Sequence, residues 1–107
     1  MKELMEFIDA EDKRLKEHYG KLLPPDKNVL ARTAKMMEKL GELCDDVLAQ
    51  ASLQRKKKLD AYDREKMEEE FADVIFTALL LAKAMGIDVE KAVERKMEKV
   101  KKRRYDE

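Results

Sequence analysis

The sequence predicts an all-α fold, a four-helix bundle whose core is completed by dimerisation, and three observations predict it. Charged residues make up 45% of the 107 positions and hydrophobic ones 44%, with only three Gly and two Pro to form turns, a balance that suits a few long helices. Apolar residues recur at spacings near three, four and seven. One stretch, from Phe76 to Leu81, is apolar on every side and asks for more cover than a lone small bundle supplies, which argues for self-association through it.

The elements follow in order. Leu4, Phe7, Ile8 and Leu15 repeat at helical spacing over Lys2 to Tyr19, and Gly20 supplies a C-terminal stop. Leu22-Leu23-Pro24-Pro25-Asp26 breaks the pattern and ends at an N-cap candidate, Asp26 or Asn28. From Val29 to about Gln50, Leu30, Met37, Leu40, Cys44, Val47 and Leu48 fall on one side of a helical wheel, continued by Ala51. Cys44 in that stripe reads as a buried small hydrophobe. Gly41 costs about 1 kcal/mol relative to Ala in a helix, which close approach of another helix or a phosphate would offset. Ala51 to Arg64, polar and basic with Arg55 to Lys58 within it, reads as a solvated connector, a loop or frayed helix between two antiparallel partners. A third helix spans Glu65 to Met85 and closes at Gly86, and a fourth, capped by Asp88, runs to about Arg104 with a basic end that suits its dipole. The whole chain, 1–107, reads as one domain: an N-terminal helix at about 2–19 and a core at about 28–105.

Composition excludes several function classes. Lys plus Arg equals Asp plus Glu at 24 each, so net charge offers no argument for nucleic acid or a membrane. Few aromatics weaken the nucleic-acid reading of Arg55 to Lys58 and Lys96 to Arg104 further. A single cysteine excludes an intrachain disulfide and a cysteine-rich zinc site, and with no signal-peptide pattern or spanning stretch the expected compartment is the cytoplasm.

Two acidic segments carry the chemistry. Glu70 and Asp73 lie three apart, about 4.5 Å along a helix axis, inside an apolar sector where an unpaired charge is costly. Glu38, Glu42 and Asp45 form a second acidic stripe within roughly 60° on the preceding helix. Acid pairs at such spacings are common in so charged a chain, so the apolar surroundings of Glu70 and Asp73 carry the weight. Two antiparallel helices presenting these carboxylates can form an oxygen box suited to Mg²⁺ or Mn²⁺. The one histidine, His18, lies outside both helices and reads as a surface residue, which argues against zinc and histidine-containing di-iron sites.

The pattern Glu38-x-Leu40-Gly41-Glu42-Leu43, then Glu69-Glu70-Phe71-Ala72-Asp73-Val74-Ile75, then Leu81-Ala82-x-x-x-Gly86-Ile87-Asp88, resembles the MazG-type all-α nucleoside triphosphate pyrophosphohydrolases over roughly Thr33 to Tyr105. The resemblance implies a bundle completed by a homodimer or dimer of dimers, with Mg²⁺ (Mn²⁺ possible) as cofactor, that cleaves a nucleoside triphosphate to monophosphate and pyrophosphate. Glu70, Asp73 and Glu42 match metal ligands. Glu38 matches a flanking acid and is the candidate to orient or deprotonate the attacking water. The earlier ligand position is Lys39 here, and either Glu38 or Asp45 can complete the box. Near the chain's end Lys99, Arg104 and Tyr105 match the family, while Val100 stands where it has asparagine. Lys39, Lys96, Lys99, Arg103, Arg104 and Tyr105 are thus the candidate substrate contacts. The departure at Lys39 favours a second reading, a family member that binds nucleotide or metal, or acts as an interaction module, without turnover.

Overall fold

A computed structural model describes residues 1–19, 25–51 and 61–103. They form four helices: α1 (Lys2–Tyr19), α2 (Pro25–Ala51), α3 (Ala61–Ala84) and α4 (Val89–Lys101). Of the connector expected over Ala51 to Arg64, residues 52–60 lie outside the described residues, and α3 begins at Ala61, one turn before the expected Glu65, as a run without Pro or Gly allows. Helix α2 begins earlier than the spacing suggests because Pro25 is a natural first residue, having no N–H to leave unsatisfied. Asp26 then sits in the first turn, where its charge meets the positive end of the helix. Helix α3 ends as expected. Gly86 takes φ +69°, and the amides of Gly86 and Ile87 donate back to the carbonyls of Lys83 (3.1 Å) and Ala82 (2.9 Å), the two bonds of a Schellman closure. The Asp88 side chain accepts from the Lys91 amide and caps α4.

Helices α2 and α3 pack antiparallel along a seam that is largely polar. Arg32 donates to the Leu80 carbonyl (2.8 Å), Lys39 lies 3.9 Å from Asp73, and Asp46 lies 3.8 Å from Lys66. Each step of seven along α2 is answered by a step of seven back along α3, the two-turn repeat of paired helices. Met36 and Leu43 fill the positions between, Leu43 being buried.

Helix α1 lies against the other side of α3. Ile8 is fully buried, Phe7 places its ring 5.0 Å from that of Phe76, and Asp9 pairs with Lys83 at 2.8 Å. Arg32 joins all three helices, donating through the same nitrogen to Asp12 of α1 (2.7 Å) and to the Leu80 carbonyl of α3. Burial alone would raise the Asp12 carboxyl, but hydrogen bonds from Arg32 and Lys16 outweigh it and hold the group below its usual value.

Three expectations change here. The apolar stripe of α2 faces outward: Leu30, Met37 and Leu48 are each about two-thirds exposed, and Leu40, Val47 and Cys44 are exposed with them. Cys44 is therefore not a buried hydrophobe, because the side of α2 that meets α3 is the Arg32, Lys39, Asp46 side. Among the described residues nothing lies within 4 Å of a side chain built on Gly41, so none of them closes on that glycine. The all-apolar part of α3 is half-buried within the chain, with Leu79 buried and Phe76 against Phe7, and the exposed large apolar residues of α3 are Phe71 and Ile75 instead. Helix α4 buries no residue at all. His18 is exposed, as expected.

Removing one partner of a buried ion pair strands the other. Asp12→Ala should lower unfolding free energy by about 3 kcal/mol, and Asp12→Leu combined with Arg32→Met should recover most of that loss. Urea denaturation followed by circular dichroism checks both.

Candidate metal and nucleotide site

The middle of the α2–α3 seam gathers four carboxylates and two ammonium groups. Glu42 and Asp73, on opposite helices, share Lys39, whose Nζ lies 3.7 Å from Glu42 Oε2 and 3.9 Å from Asp73 Oδ2. Glu70 is buried, 8% exposed, and Asp46 of α2 is the neighbour that most raises its hold on a proton. Lys66 stands 3.8 Å from that same Asp46. Glu70 Oε1 is buried without a hydrogen-bond partner.

A carboxyl beside a second carboxyl holds its proton more tightly, because the proton lets the two groups share a hydrogen bond in place of repelling each other. Sharing with Asp46, then burial, then the charge of Asp46 push Glu70 up to about 7; Glu42 adds to the rise and Lys66 opposes it. A buried oxygen with no donor, beside a pair that keeps a proton only for want of other compensation, is what a cation site looks like before its cation arrives. All donors are oxygens, the choice of hard ions such as Mg²⁺ and Mn²⁺. Among the described residues no three or more His, Cys, Asp or Glu side chains converge tightly enough to enclose an ion. Mg²⁺ does not require that: it is commonly bound by one or two carboxylates plus water and substrate phosphates.

The sequence-derived residues divide. Glu42, Glu70 and Asp73 come together on the seam, with Lys39 among them. Glu38 is exposed one turn before Glu42 and pairs with Lys35 at 3.3 Å. Asp45 is exposed, and the next residue, Asp46, meets Glu70 in its stead. Asp46 and Lys66 were not singled out in the sequence. The signal for Asp46 was present, since it lies four residues after Glu42 and seven after Lys39. Lys96, Lys99 and Arg103 are exposed, and among the described residues no ion pair or side-chain hydrogen bond ties α4 to another helix. Arg104 and Tyr105 lie outside the described residues.

The Glu70 proton predicts a pH dependence. Its folded value, about 7, exceeds the ordinary 4.5, so the folded state holds a proton that the unfolded state releases. The resulting stabilisation is complete below about pH 4.5 and disappears as pH rises through about 7. In metal-free protein with chelator, the thermal midpoint should fall across that interval, and Glu70→Gln should flatten the fall. Scanning fluorimetry in a buffer series measures it.

A family model described as the MazG-like family matches residues 30–107, which include the whole seam and leave out α1. An uncharacterised protein of Bacillus subtilis strain 168, YpjD, is 33% identical over 106 residues, covering 99% of this chain and 87% of its own length. No solved structure matches. Among the described residues no helix is long and apolar enough to cross a membrane. A four-helix chain with acidic motifs on a shared α2–α3 seam, matched over nearly three quarters of its length, belongs to the MazG-like family, a family of the nucleotide pyrophosphohydrolase type.

Proposed function

We propose that the protein hydrolyses a nucleoside triphosphate, ribo or deoxy, to the monophosphate and pyrophosphate in a Mg²⁺-dependent reaction. The observation that carries the reading is the buried, unpartnered Oε1 of Glu70 on a seam shared with Asp46, Glu42 and Asp73. Glu70 and its acidic neighbours would hold the cation, with Mn²⁺ able to take its place. When bound, the ion supplies Lewis-acid neutralisation of charge on phosphate oxygens. Glu38, open to water one turn from Glu42, is the group we assign to orient the attacking water and accept its proton. Lys96, Lys99 and Arg103, with Arg104 and Tyr105, are assigned to the phosphates, where charge-assisted bonds are strongest.

The working unit is a dimer in this reading. The accessible surface is 8908 Å², against about 6,200 Å² for a compact monomer of its mass. The radius of gyration is 17.3 Å, against about 13 Å for a compact domain of this length. The surplus surface exceeds the roughly 800 Å² that each partner of a standard interface contributes. The outward stripe of α2, with Phe71 and Ile75 of α3, supplies the apolar face for it, and the second copy brings α4 cations toward the seam.

A binding module without turnover is the second reading, favoured by Lys39 in a ligand position. Pyrophosphate release from the natural NTPs and dNTPs with Mg²⁺ or Mn²⁺ separates the two. Turnover is expected, falling more than about 100-fold in Glu42→Ala/Glu70→Ala/Asp73→Ala. Silence across the panel, together with nucleotide-dependent thermal stabilisation, would favour the module. Light scattering on a sizing column should give the mass of two chains, and Leu40→Glu combined with Leu48→Lys should give the mass of one.

A further inference from the structure

We propose that Lys39 is a tethered cation that fills the space between Glu42 and Asp73, and that the divalent ion sits one helical turn further along the seam. There Glu70 and Asp46 receive it, Asp46 taking over the ligand role that position 39 has lost. The inference rests on the proposal above that the seam binds a divalent cation, and it names where.

The placement of charge carries it. The Lys39 ammonium reaches carboxylates on both helices, at 3.7 and 3.9 Å, which is the bridging position an ion between those two groups would occupy. A divalent ion placed there would meet a fixed positive charge at close range, and the repulsion would drive it away. At Glu70, whose Oε1 is buried and without a donor, the nearby cation is Lys66, which lies 3.8 Å from Asp46 alone rather than between two carboxylates. Its side chain is 56% exposed against 25% for Lys39, so it can turn to water when an ion enters between Glu70 and Asp46. Asp46 stands four residues after Glu42, on the seam side of α2, so it offers an oxygen at the next turn.

Charge balance agrees. When ionised, Glu42, Asp46, Glu70 and Asp73 carry four negative charges, and Lys39 and Lys66 offset two, leaving the charge of one divalent ion. A carboxylate at position 39 would leave four, the charge of two divalent ions. The lysine thus replaces one metal ion with a covalently held cation.

Mn²⁺ titration of the full chain at one fixed pH, read by the electron paramagnetic resonance signal of free Mn²⁺ and by calorimetry, tests this without reference to turnover. The intact protein should bind one Mn²⁺ per chain. Asp46→Asn should weaken binding by about tenfold or more, and Asp73→Asn by less than about threefold. Lys39→Met should tighten it, and Lys39→Glu should raise the stoichiometry to two. Circular dichroism and sizing of each variant guard against misfolding, and the two Lys39 variants keep the test decisive if Asp46→Asn does not fold. Loss of binding in Asp73→Asn with Asp46→Asn unchanged would overturn this inference and leave a metal-dependent reaction standing. No Mn²⁺ binding by the intact protein would overturn both.

Discussion

The structure depends on a polar seam between two antiparallel helices. Where Leu or Ile would ordinarily repeat, α2 presents Arg32, Lys39 and Asp46 at seven-residue intervals, and α3 answers with the Leu80 carbonyl, Asp73 and Lys66. Such groups hold helices together only when each finds a partner, because a buried polar group left alone costs more than the pair contributes. The partnering is complete at the Asp12 and Arg32 end apart from one guanidinium nitrogen, and it is incomplete in the middle, at Glu70. The gap in the pairing and the candidate site are the same place.

A polar seam also limits what a single chain can gain from burying apolar surface. Among the described residues only Ile8, Leu43 and Leu79 are buried hydrophobics, a small core for four helices. Helix α1 adds to it with Ile8 and with Phe7 against Phe76 of α3, and it lies outside the region that the family model matches. Its ion pairs hold it unequally. Asp9 and Lys83, both about half exposed, form a solvent-screened pair that contributes little, whereas Asp12 is buried against Arg32.

Much of this was legible in the sequence. Element number and type followed from periodicity, the closure at Gly86 and the cap at Asp88 followed from residue chemistry, and Glu42, Glu70 and Asp73 all lie along the α2–α3 seam. Orientation was not legible. The rule that apolar faces point inward assigns Leu30, Met37, Leu40 and Cys44 to the core, and it fails because the inward face of α2 is written in charged residues. The same inversion hid Asp46. Counting acids selects Asp45 by its proximity to Glu42 and Glu38, but only the seven-residue step from Lys39 places a residue against α3. A seam read from charged pairs, rather than from hydrophobics, would have found it.

The two faces of α2 are thermodynamically connected. The middle of the seam that its inner face shares with α3 has Glu42, Asp46, Glu70 and Asp73 against Lys39 and Lys66, and that excess negative charge disfavours close approach of the two helices until a cation or a proton offsets it. Its outer face, with Leu30, Met37, Leu40, Val47 and Leu48 exposed, presents a continuous apolar stripe only while the helix is straight and packed on α3. Whatever neutralises the seam therefore stabilises the surface on which a second copy would dock. By linkage, docking must favour neutralisation of the seam to the same extent. In the proposed dimer, occupancy of the carboxylate site and association of the chains are one equilibrium viewed from two sides of a single helix.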